Sequence, residues 1–171
     1  MITPQSARML TRYNGWADQL IFDAVAALPE GEATKPRPTL FKNMVHTLNH
    51  IYVIDLIWQA HLEGRDHGFT ARNTPGHPPL GELRGKQQAI DDWYVAWFDA
   101  QSEAALAQPV HFVLVGGNRG VMTRGEILLH VVNHTTYHRG FVADLMYQVP
   151  GAHPPTTDLP VYLRETAAAP A

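Results

Sequence analysis

The sequence predicts an all-α protein, a four-helix bundle with a small hairpin before the last long helix. Three observations carry this. Four stretches of bundle length repeat their apolar residues at intervals of three and four. Two of them open on helix-start signals, Thr3-Pro4 and Thr123-x-x-Glu126. Only VHFVLVGGNRGVMT at 110–123 has the apolar–turn–apolar pattern of a strand pair.

The first helix starts at the Thr3 cap with Pro4 in its first position, where proline's missing N–H costs nothing. Met9, Tyr13, Trp16, Leu20 and Val25 give it an apolar face, and PEGE stops it after about Leu28. The two prolines of ATKPRPT at 33–39 make that stretch a connection. A second helix is expected from about Leu40 to Glu63, with Gly64 ending it. Residues 65–79 are rich in Gly, Pro, His and Asn and form a long loop, a length that often serves as a site wall or lid. A third helix is expected from about Leu80 to Leu106. After the hairpin, Thr123 and Glu126 form a capping box, and the fourth helix runs to about Gln148, before Val149-Pro150-Gly151. The reading is one domain over 1–165 and a flexible C-terminal tail at 166–171.

Composition narrows the chemistry. The chain has 171 residues, 45% hydrophobic and 17% charged, enough for one real core. A net charge of −3 offers no footprint for nucleic acid. No apolar run approaches the roughly 18–20 residues of a membrane span, and no signal peptide is evident at the start, so a cytoplasmic location is expected. The absence of cysteine removes disulfides, thiolate ligands and a cysteine nucleophile together. Serine occurs only at Ser6 and Ser102, neither in a G-x-S-x-G elbow. Chemistry must come from histidine, carboxylates, a bound metal or a nucleophile carried by a second substrate.

Histidine is where the sequence concentrates. Half of the ten lie in HTLNH at 46–50 and HVVNHTTYHRG at 130–140. On the fourth helix Ile127, Val131, His134, His138, Phe141 and Leu145 recur at intervals of 4, 3, 4, 3 and 4, a core stripe with two histidines written into it. Residues i and i+4 stand about 5–6 Å apart at Cβ, so His134 and His138 can reach one ion. His130 lies just beside the stripe. A buried imidazole needs a partner, which is either a hydrogen bond or a metal. On the second helix His50 shares an inward stripe with Ile54 and Ile57, and facing helices about 8–10 Å apart let it complete a His₃ set. Three protein ligands leave positions open for water or substrate. His46 is a fourth ligand, a supporting residue or a surface residue. HTLNH lacks the glutamate of H-E-x-x-H, which excludes the zincin protease pattern.

Other residues receive plainer readings. Arg139 is a structural salt-bridge partner, or a grip for an anionic substrate. Asp55 and Asp144 are acid–base candidates, with a salt bridge as the alternative for Asp55. Asp91-Asp92 reads as a solvated helix face. Trp16, Trp58, Trp93 and Trp97 read as core or dimer-interface residues. GGNRG is a turn, since it lacks the P-loop Lys and Ser/Thr. His61, His67, His77 and His153 are loop or surface residues, with His67 or His77 able to line the site mouth.

The stretches YNGWADQLIFDAVAALP at 13–29, MVHTLNHIYVIDLIW at 44–58, HVVNHTTYHRGFVADLM at 130–146 and TDLPVYLRE at 157–165 resemble the DinB family of the DinB/YfiT-like superfamily. The resemblance covers nearly the whole chain, and HxxxYHRG is its most specific part. It implies an antiparallel bundle with a long crossover, often a homodimer, holding a divalent metal on three histidines. Matched position by position these are His50, His134 and His138, while His130 matches a histidine that is not usually a ligand. Relatives of this type include S-transferases and isomerases that use low-molecular-weight thiols. The expected function is therefore that of a divalent-metal-binding enzyme acting on a small molecule, of thiol-dependent S-transferase type. Hydrolysis by metal-bound hydroxide and a non-enzymatic metal-binding stress protein are the alternatives. Zinc or nickel suits the ligand set best, with iron, manganese or copper next.

Overall fold

The start of α1 (Pro4–Ala26) follows from its cap: the Thr3 side chain accepts the Ser6 N–H, and proline occupies the first turn. The computed structural model describes residues 2–168. After α1 come α2 (Met44–Leu62), α3 (Leu80–Asp99), a four-residue α4 (Glu103–Leu106), the strands β1 (Pro109–Val113) and β2 (Arg119–Thr123), α5 (Arg124–Met146) and α6 (Leu159–Ala168). The strands form one antiparallel hairpin in which Phe112 faces Gly120. Thr123 both ends β2 and caps α5, and both halves of the capping box with Glu126 are made.

The long helices form a ring in the order α1, α3, α2, α5. Contacts set their directions. Arg12 meets Asp99 and Arg84 meets Asp23, so α1 and α3 are antiparallel. His50 meets His134 and His138 while Trp58 meets His130, so α2 and α5 are antiparallel. Asn14 and Asp18 meet Arg139, and Ile2 meets Gly125, so α1 and α5 are parallel. The neighbours α2 and α3 then run the same way, and the chain from 63 to 79 must travel back along the bundle to join them. That is the long crossover.

Three boundaries differ from the sequence reading. The second helix starts at Met44, not Leu40, because the Asn43 side chain accepts the His46 N–H at 2.7 Å and Lys42 takes a left-handed φ of 65°. Leu40 is left 84% exposed in the turn ahead of it. The third helix ends at Asp99 rather than Leu106. Arg12 grips the Asp99 carboxylate with both terminal guanidinium nitrogens, Arg8 donates to its carbonyl, and Ser102 caps the separate α4. The tail expected from 166 begins inside a helix. That helix is α6, whose buried Tyr162 packs edge-on against Tyr13 and beside Trp16, and the expected boundary at 165 falls inside it. Residues 169–171 of the expected tail lie outside those described.

The core also holds charge. Arg139 is buried and donates to Asp18 and Asn14 at 2.9 Å each, and to Thr136, the structural role read for it. Asp55 and Asp91 are buried in the same region, bridged by the Gln87 amide at 2.9 and 3.1 Å. Asp91 therefore departs from the solvated-face reading, which Asp92 alone fits, and Asp55 is neither on the surface nor in a salt bridge. Burial is the main force raising all three carboxyls, Asp55 and Asp91 well above the carboxylate range. Phe141, assigned to the core stripe, is 42% exposed, and its neighbour Val142 is buried instead. α5 drifts about 20° per heptad against a strict seven-residue repeat, which carries position 141 out of the interface.

Candidate metal centre

His50 sits midway along α2, and His134 and His138 sit one turn apart on the facing side of α5. Their ligand-capable nitrogens all lie within 4.8 Å of one another. His50 Nε2 and His134 Nε2 are 3.1 Å apart. For comparison, nitrogens about 2.0–2.1 Å from a tetrahedral zinc are separated by roughly 3.3–3.4 Å. The rings make a compact cluster, with centroids at 4.4 Å for His134–His138 and 4.6 Å for His50–His138.

The crossover fixes how His50 presents itself. The Arg72 carbonyl accepts a hydrogen bond from His50 Nδ1 at 2.8 Å. A carbonyl can only accept, so the proton is on Nδ1 and the Nε2 lone pair points at the other two rings. The loop is itself anchored to α2. The buried Asn49 side-chain oxygen accepts from the Thr74 N–H at 3.1 Å and its hydroxyl at 3.0 Å, and Asn73 donates to the His46 carbonyl at 2.9 Å.

Protonation is disfavoured throughout. Burial, followed by the neighbouring His138, His50 and His130, holds His134 down to about 3. Burial and then His50 hold His138 down to about 4, and burial lowers His50 as well. Three neutral imidazoles therefore converge. A hydrogen bond between His50 and His134 would account for one pair, but not for His138 beside both. The Nδ1 atoms of His134 and His138 are buried with no hydrogen-bond partner. One shared cation accounts for the convergence, and the cluster fits a divalent ion with room for further ligands.

The cluster forms one end of a cleft of about 810 Å³. Phe41, from the turn before α2, stacks on His50 at 4.5 Å and meets His138 edge-on. His46 lines the cleft outside the ligand group and faces His77 at 6.0 Å, but His77 itself is not part of the cleft wall. His130 lies edge-on to Trp58 at 4.8 Å, and Trp58 in turn to Phe112 of the hairpin at 5.0 Å. Trp58 is thus core and site wall together. Among the described residues, no Asp or Glu lines this cleft. Asp55 is sealed in the core beside Gln87, and Asp144 is exposed and outside the cleft. His61, read as a surface residue, is 8% exposed and packs on Trp58 and His67 in a separate hollow behind the hairpin.

Sequence reasoning missed Arg72, Asn49 and Phe41. Arg72 acts through its backbone, which no side-chain pattern reveals. Asn49 carried a faint signal, a polar residue beside His50 in a helix apolar on nearly every face. Phe41 was hidden because the second helix was started too early.

The sequence profile of the DinB family matches residues 1–170. Protein DinB of Bacillus subtilis (strain 168) is 30% identical over 162 residues, spanning 90% of this chain and 91% of that protein. The transcriptional regulator nsrM of Aspergillus novofumigatus (strain IBT 16806) is 29% identical over 92 residues, 52% of this chain but 11% of that protein.

Proposed function

The chain belongs to the DinB family, and on that premise we propose that it is a metal-dependent enzyme of thiol S-transferase type, with His50, His134 and His138 holding one divalent ion. The observation that carries this reading is the convergence of three neutral imidazoles at the polar end of a cleft otherwise poor in reactive groups. When bound, the ion supplies Lewis-acid chemistry, lowering the pKa of a thiol or water or polarising a carbonyl. Zinc or nickel suits three imidazoles best, with iron, manganese or copper as substitutes.

The protein's own residues do the rest. Arg72 and the crossover hold His50 in one tautomer. Phe41 and Trp58 restrict water around the imidazoles. Among the described residues no serine or carboxylate lines the cleft, so the nucleophile arrives with a cosubstrate, and a low-molecular-weight thiol is the one that needs least activation. Hydrolysis is the second reading. It lost its two carboxylate candidates, but His130 lines the cleft and burial keeps it neutral, as a general base must be.

The test is to load the protein with zinc or nickel and follow loss of free thiol from physiological low-molecular-weight thiols in the presence of simple electrophiles. Metal-dependent consumption that His134→Ala abolishes supports the transferase. Metal-dependent ester or amide cleavage without thiol moves the assignment to hydrolysis. Neither activity in a fully metal-loaded protein contradicts the enzymatic reading.

A further inference from the structure

We propose that the end of the cleft remote from the histidines is a binding chamber for an apolar hydrocarbon tail of the substrate, and that Gly120 sets its depth. The inference rests on the metal reading only for where the substrate's polar head lies. The chamber itself stands on separate observations.

The first is what builds the walls. From the histidine cluster the cleft follows the groove between α2 and α5, over Ile54 and Ile57, to Trp58 and His130, and ends under Phe112 and Met122 of the hairpin. His130 is one turn along α5 from His134, a rise of about 6 Å. Every group from there onward is apolar or aromatic apart from that one imidazole, and no carboxylate is present. Such walls offer water few of the two to four polar partners it needs, so apolar atoms displace it favourably. A substrate seated here has its reacting group at the histidines and a hydrocarbon portion in the chamber.

The second is the Phe112–Gly120 pair. The two residues face each other directly across the hairpin, so their side chains project from the same face. The outer edge of the Phe112 ring occupies the position a side chain at 120 would take. A Cβ there would stand 2.8 Å from Cε2 and 3.1 Å from Cε1, with Cζ closer still. Gly120 does not have the positive φ that marks Gly116 and Gly117 in the turn. The backbone therefore accepts any residue at 120, and only the ring excludes one. A side chain placed there drives the ring off the strand toward Trp58, which it already meets at 5.0 Å, and so into the chamber. Glycine at 120 keeps the chamber deep.

Two probe series test this. Straight-chain hydroxamic acids from two to ten carbons are titrated into zinc-loaded protein, and primary alcohols from butanol to decanol into metal-free protein. Affinity should rise about three- to fourfold per methylene up to a limiting chain length. In Gly120→Ala and Gly120→Val that limit should move to shorter chains in both series, with zinc content unchanged. Phe112→Leu should lengthen it, and Gly120→Ala combined with Phe112→Leu should restore it. Affinity that is flat with chain length, or a limit that the Gly120 variants leave in place, overturns the chamber. If zinc does not bind while the alcohols still show the length dependence, the metal reading fails and the chamber stands.

Discussion

His50 and Arg72, 22 residues apart, are joined by a single hydrogen bond of 2.8 Å from an imidazole Nδ1 to a backbone carbonyl. Through it a surface crossover decides which nitrogen of a buried histidine faces the other two. Outer partners of this kind commonly change metal affinity by about 10–100-fold.

Asn49 ties the crossover to α2, so Asn49→Ala should weaken the site without touching a ligand. Removing its oxygen leaves the Thr74 N–H without its acceptor, while the hydroxyl keeps the Gly76 carbonyl. The expected cost is about 1–3 kcal/mol of stability and roughly tenfold in zinc affinity. Denaturant unfolding and competition with a chromophoric chelator measure the two. Unchanged zinc affinity would show that the loop does not position His50.

Arg139 joins α5 to α1 through Asp18 and Asn14 with almost no exposure. Arg139→Ala leaves Asp18 buried without its partner and should cost about 3–5 kcal/mol. Arg139→Lys should recover little, since an ammonium cannot reproduce the forked contacts to Asp18, Asn14 and Thr136. Chemical denaturation of both variants checks this, and full recovery by lysine would argue against the forked geometry.

Asp55 and Asp91 give the core a pH dependence. Burial raises both carboxyls well above their unfolded value near 3.8, so between that value and the folded pKa the folded state holds more protons. Stability from these groups is fully present below about pH 4 and is lost as pH rises through the folded pKa. Asp55→Asn and Asp91→Asn mimic the protonated form. Each should raise the unfolding midpoint more at pH 9 than at pH 5. An equal shift at both values would mean that the carboxyls are already ionised.

Much of this arrangement was legible from the chain. The i, i+4 spacing of His134 and His138 on an apolar stripe placed both on one helix face, and the Thr123–Glu126 box placed the start of that helix. Local signals of this kind survive folding because they are satisfied within one turn. What escaped depends on partners distant in sequence. Asp91 reads as a surface residue until α3 packs it against α1 and α2. Tyr162 carries no helix signal of its own until Tyr13 and Trp16 supply its surface. The Phe112–Gly120 contact exists only once the hairpin has fixed its register.

The most direct test of the metal centre is metal content by mass spectrometry of untagged protein, beside His50→Ala, His134→Ala, His138→Ala and His46→Ala. The site requires about one divalent ion per chain, lost in the first three variants and kept in the fourth, with helical circular dichroism intact throughout. Protein that holds no ion, and takes up none when zinc or nickel is added, would contradict it and leave the three histidines a structural cluster.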